Sequence, residues 1–131
     1  MKVLLSLILM ALASAGYSFD GAKYFKVNCA ACHTIGGGDS TGPDLAGVSK
    51  RRKVDWIVKF VNYPEGMIIG DAEEPGYEKP DPTAVALAKL YKPAIMAEQQ
   101  MTKAEVEGLL KYIDSLKKEP KGKITKPLKL K

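Results

Sequence analysis

Cys29-Ala30-Ala31-Cys32-His33 decides how the rest of this chain is read. Two thiols separated by two residues, with a histidine directly after the second, form the attachment signature of a c-type haem. Each thiol adds across a haem vinyl group as a thioether, and the imidazole becomes an axial ligand of the iron. The spacing has a physical reason. One helical turn and its exit span the two vinyl positions, and the adjacent histidine is swung beneath the ring centre. Other uses of a cysteine pair fit less well. A thioredoxin-like dithiol wants a strand and helix alternation around it, and none is legible here. A structural zinc site needs four ligands, whereas Cys29 and Cys32 are the only cysteines and His33 is the only histidine.

Towards the N-terminus, Phe19 to Ala31 reads as the first helix, with Asp20 as N-cap and Ala22, Phe25, Val27 and Cys29 as its apolar positions. Gly21, Phe25 and Cys29 follow one another at four-residue steps and so share a face, where the glycine permits close approach of another helix. Before this helix, Met1-Lys2 is followed by an apolar run from Val3 to Leu12 and then by Ala13-Ser14-Ala15. A basic start, a short apolar run and a small-x-small site make a secretory signal peptide over residues 1–15. The run is shorter than the approximately 20 residues of a spanning helix. The mature chain is expected to begin near Gly16 and to work in the periplasm, since covalent haem attachment in bacteria takes place outside the cytoplasmic membrane.

Downstream of His33, the stretch from Thr34 to Gly47 carries too many glycines for helix or strand and reads as a turn-rich loop. A metal-bound histidine gives its other ring N–H to an acceptor, which fixes its tautomer. A backbone carbonyl of this loop can serve, and Pro43, with its fixed dihedral, makes that turn rigid.

The haem pentad, Gly21 and Phe25 before it, and Thr41-Gly42-Pro43-Asp44-Leu45-Ala46-Gly47 after it together resemble the class I c-type cytochromes, the small soluble bacterial monohaem kind. The resemblance covers residues 19 to 116 and implies an all-α cytochrome c fold, a few helices wrapped around one covalently attached haem. It also implies that the Pro43 carbonyl accepts from the axial histidine.

Ser49 to Val61 is the next helical candidate, with Val54, Ile57, Val58 and Val61 on one face. Lys50-Arg51-Arg52-Lys53 is a solvated charge run, within which Arg51 or Arg52 can pair with a haem propionate. Trp56 and Phe60 lie on another face. Trp56 either donates its indole N–H to a propionate, as a tryptophan of this region does in some members of the family, or fills core. Asn62 to Gly66 ends the helix, and the acid-rich stretch to Pro80 reads as surface loop. Asp81-Pro82 then pairs an N-cap with proline at the first helical position and opens a short helix through Tyr91, stopped by Pro93.

With no second histidine, a six-coordinate iron needs another donor, and the family's usual one is a methionine thioether. Met67, Met96 and Met101 are the candidates once the signal is removed. Met96 stands in an irregular strip just ahead of the last helix, where the family places its ligand, although Ala97 replaces the proline that follows this methionine in many relatives. Thr102-Lys103-Ala104-Glu105 is a capping box, and Val106, Leu109, Leu110, Ile113 and Leu116 form the apolar face of the helix it opens. Leu109 and Tyr112 match the residues that in the family pack against the glycine and aromatic of the first helix.

The chain has 131 residues, the size of one domain. Its formal net charge of +5 is concentrated at the end, because residues 117–131 hold seven lysines against one acid, while residues 16–116 hold 12 basic and 14 acidic side chains. This lysine- and proline-rich tail is expected to be disordered. It can solubilise the protein or draw it towards an acidic redox partner or an anionic membrane surface. Export and the lack of a basic core argue against nucleic acid. The expected function is therefore periplasmic electron transfer through one haem c, ligated by His33 and Met96, with redox proteins as donor and acceptor and no enzymatic activity. Two other readings remain: a haem-bearing electron-acceptor subunit of a larger dehydrogenase, and a five-coordinate haem protein that binds a gas ligand.

Overall fold

Asp20 opens the first helix as an N-cap should, its carboxylate accepting from the Lys23 amide at 3.0 Å. In the computed structural model, which describes residues 18–129, helix α1 runs from Gly21 to Tyr24 and passes without a break into a π-helical turn, Phe25–Cys29. The expected single α-helix to Ala31 is thus corrected. The Ala30 amide reaches back five residues to the Phe25 carbonyl, 2.9 Å away, and the widened turn delivers the cysteines. Gly21, Phe25 and Cys29 are buried as their spacing requires, whereas Val27, assigned to the apolar face, is 70 % exposed. The signal peptide expected over residues 1–15 lies outside the described residues.

The single helix expected from Ser49 to Val61 is two: α2 (Val48–Arg51) and α3 (Val54–Asn62). Arg52 between them is extended, at φ −139° and ψ 142°. Like charges one helical turn apart repel, and the break spares Lys50 to Lys53 that stacking. Pro64 does not end a helix but starts one. It occupies the first turn of α4 (Pro64–Ile69), where its missing N–H costs nothing, so the expected loop to Pro80 begins only at Gly70. Helix α5 (Pro82–Tyr91) has the expected cap, with the Asp81 carboxylate accepting from the Ala84 amide at 2.9 Å. Helix α6 (Lys103–Ser115) has both halves of its capping box, Glu105 amide to Thr102 hydroxyl and Thr102 amide to Glu105 carboxylate. No strand occurs among the described residues, and no helix there is long and apolar enough to cross a membrane.

The core is assembled where α1 and the π-turn cross α6 and where α3 packs beside them. Phe25, Cys29, Ile57, Val61, Met101, Val106, Leu109, Leu110 and Ile113 form one buried cluster. Leu116, expected on this face, is instead 39 % exposed, because α6 has ended one residue earlier. At the crossing, a Cβ on Gly21 would lie 2.8 Å from the Tyr112 Cβ and 2.9 Å from the Gly108 carbonyl oxygen. The aromatic partner expected for Tyr112 is present, with the Phe25 ring centre 6.3 Å away. Gly108 escaped the sequence reading. It gives Phe19 a seat on α6, where any side chain would sit against the Phe19 ring.

The tail is also corrected. Among the described residues its lysine side chains are exposed, but its backbone returns over the loop that follows His33, and Ile124 is only 5 % exposed. One buried apolar side chain and backbone amides offered to carboxylates hold a segment that composition alone marks as disordered.

Candidate haem site

The π-turn separates the two thiols by environment: Cys29 is buried and Cys32 exposed. Burial pushes the Cys29 thiol up to about 11, the opposite of the depressed value a nucleophilic redox cysteine requires. As an uncharged thioether the sulfur meets no such penalty. The structure thereby favours attachment over the dithiol reading.

The imidazole of His33 is oriented by the loop. Its Nδ1 lies 2.8 Å from the Pro43 carbonyl oxygen. A carbonyl can only accept, so the proton sits on Nδ1 and the Nε2 lone pair is left for a metal. Burial lowers the histidine's affinity for a second proton, while the Pro43 bond works in the other direction. Gly42 lets the ring lie flat against the chain, since a Cβ there would come 2.5 Å from Cε1.

Asp44, named only as part of the loop motif, is the side chain that builds this loop. It is fully buried, and its carboxylate accepts from the amides of Gly36 (2.7 Å), Gly38 (2.9 Å), Ala46 (2.9 Å) and Lys121 (3.1 Å). Burial opposes the charge, but these four amides outweigh it and hold the carboxyl below its usual range. Stability from such a group is complete above about pH 5 and is lost as pH falls through the depressed folded value. Asp44→Asn, which presents an amide to donors, should cost about 3 kcal/mol at neutral pH. It should also flatten the acid limb of an unfolding curve; an unchanged acid limb would remove Asp44 from this role.

Arg51 does not reach for a propionate. Its guanidinium is buried and donates to the carbonyls of Ala46 (2.6 Å) and Asp44 (3.0 Å), completing the loop from behind. Arg52 stands instead 5.5 Å from the centre of the Trp56 ring, which is stacked on Phe60 at 5.0 Å. The Trp56 indole N–H is buried and has no hydrogen-bond partner among the described residues. A buried donor left unpaired costs free energy unless something accepts from it. A haem carboxylate beside Arg52 and Trp56 would satisfy both groups, and this orphaned donor is the observation by which the residues fit a haem.

The three methionines separate by burial. Met67 and Met101 are each 4 % exposed and act as packing. Met96 is half-buried at the margin of the core, within the irregular strip between α5 and α6. The strip is pinned by residues that the sequence reading missed. Asn62 clamps Met101 from both sides, its Nδ2 donating to the Met101 carbonyl (2.7 Å) and its Oδ1 accepting from the Met101 amide (2.6 Å). The Gln99 amide donates to the Val61 carbonyl at 2.8 Å, and the Tyr24 hydroxyl donates to the Gln99 side chain at 3.1 Å. Asn62 at a helix end looked like a terminator; only the fold reveals it as a clamp.

Comparison with known proteins agrees with this geometry. The cytochrome c family model matches residues 18–117. Cytochrome c of Nigella damascena is 34 % identical over 101 residues, 60 % of this chain and 91 % of that protein. Among solved structures, the cytochrome c domain of the pp3183 protein from Pseudomonas putida is similar at 30 % identity and a TM-score of 0.54, covering 73 % of this chain and 86 % of that one. Cytochrome c from Rhodothermus marinus is similar at 25 % identity and a TM-score of 0.57, covering 79 % and 84 %. The chain therefore belongs to the cytochrome c family, with the fold of that family, a covalently attached c-type haem and a role in haem-based electron transfer.

Proposed function

We propose that this protein is a periplasmic electron carrier in which His33 and Met96 ligate one haem c held through Cys29 and Cys32. The observation that carries the reading is the 2.8 Å contact from His33 Nδ1 to the Pro43 carbonyl, which leaves Nε2 as the donor atom. When bound, the haem would supply a one-electron Fe(III)/Fe(II) couple, and a thioether ligand from Met96 together with His33 would favour the reduced form. The chain's own contribution is to hold both ligands in place through the change of charge. Asp44 and Arg51 fix the Pro43 carbonyl behind His33. Asn62 and Tyr24 fix the far end of the strip that bears Met96.

With His33 and Met96 as its ligands the iron would have no open position for substrate, and this supports the reading of a carrier over that of an enzyme. Redox proteins are its partners. The exposed lysines of the tail offer an acidic partner or an anionic membrane surface a positively charged approach. The optical spectrum of the exported holoprotein tests the ligand set. The expected result is a low-spin spectrum with a far-red sulfur-to-iron charge-transfer band in the oxidised form. A high-spin native spectrum would indicate an open position and favour gas-ligand binding. Purification of the protein as a stable complex with a dehydrogenase would favour the subunit reading.

A further inference from the structure

The chain beyond residue 117 lies outside the region matched by the family, yet it is built into the haem-binding half of the molecule. Its backbone makes the joins. The Lys121 amide donates to Asp44 at 3.1 Å and the Lys123 amide to Asp39 Oδ2 at 3.0 Å. Gly122 between them takes φ +97°, and a Cβ there would collide with the Asp39 carboxylate. The same Asp39 oxygen accepts the Tyr91 hydroxyl at 3.1 Å. Lys123 closes the triangle: its Nζ donates to the Leu90 carbonyl at 3.2 Å and stands 5.1 Å from the centre of the Tyr91 ring.

One short segment is thus tied to two places that matter. Asp39 and Asp44 bracket Pro43, the carbonyl that orients His33. Leu90 and Tyr91 end α5, just ahead of the strip that bears Met96. That strip is held at its far end by Gln99 and Met101 on α3. Its near end is held through Tyr91.

We propose that residues 118–124 form a positioning strap, which strengthens the hold of Met96 on the iron by fixing the end of α5 to the His33 loop. The proposal rests on the His33 and Met96 ligand set. A strip pinned at both ends has few conformations in which its methionine is withdrawn. Releasing one end multiplies them and favours the dissociated state by entropy.

The test titrates oxidised holoprotein with imidazole, an uncharged donor that competes with Met96, and follows loss of the far-red band. In a chain ending at Lys117, imidazole should bind about tenfold more tightly than in the full-length protein. Gly122→Ala, which keeps every lysine, should move the affinity in the same direction by a smaller factor. Replacing Lys118, Lys121 and Lys126 together by glutamine keeps the backbone donors and should leave the affinity unchanged. Ile113→Val, a packing loss in α6, serves as the control for general loosening and should also leave it unchanged. Equal affinities in the full-length, shortened and Gly122→Ala proteins would overturn the strap. So would a glutamine variant that reproduces the shortened chain, since charge would then be the cause. An Ile113→Val variant that binds imidazole as tightly as the shortened chain would reduce the effect to stability. Should the shortened chain not fold, Gly122→Ala decides. Absence of the far-red band from the native protein is a separate observation and tells against the ligand set.

Discussion

In Met96→Ala the far-red band is expected to vanish and the oxidised spectrum to turn high-spin, with the fold retained. Met96 is half-buried at the core margin, so its truncation would take away the proposed ligand without opening the interior. Met101→Ala should behave in the opposite way. Met101 is 4 % exposed within the central cluster, and truncating such a side chain costs about 2–5 kcal/mol. Its backbone would still be clamped by Asn62, so the band should survive below the lowered denaturation midpoint. Met67→Ala belongs with Met101, being buried to the same degree. Spectra and denaturant curves of the three variants therefore form a crossed test. A band lost in Met101→Ala and kept in Met96→Ala would reverse the assignment.

The second large effect is expected at the crossing of α1 with α6. Gly21→Val would set a branched side chain where a single Cβ already comes 2.8 Å from the Tyr112 Cβ and 2.9 Å from the Gly108 carbonyl. The carbonyl is backbone and cannot swing away, so the helices must part. Overpacking of this kind costs about 3 kcal/mol. The loss should appear as a lower denaturation midpoint and weaker protection of α6 amides from exchange, with the haem still attached through Cys29 and Cys32. A Gly21→Val protein as stable as the native one would mean that the two helices do not cross closely.

The sequence was legible where one residue type meets one demand. Asp20, Asp81 and Thr102 cap the helices they were expected to cap, and Pro43 supplies the carbonyl behind His33. Helix breaks were harder to read, because periodicity continues across them. The apolar positions on either side of Arg52 fit one helix as well as two, and Pro64 can end a helix or begin one. Composition misled most at the tail. Lysine and proline content describes what a segment exposes, whereas the order of residues 118–124 comes from amides donated to Asp39 and Asp44, a pairing no composition encodes. Asp44 and Asn62 were hidden for a related reason: both act on backbone groups, Asn62 on the distant Met101 and Asp44 on a set that joins its own loop to Lys121, and no residue pattern marks such partners.

The meeting of α1 with α6 also sets an order of events. The chain forms its core from its first helix and its last, so no native core exists until nearly all of it has been made. Cys29 is 7 % exposed once that core has closed, out of reach of any agent that must bring a bulky macrocycle to it. Attachment must therefore come before closure. A chain whose α6 has not yet packed would leave Cys29 open for that step, and the joined macrocycle would then offer a surface on which the two ends meet.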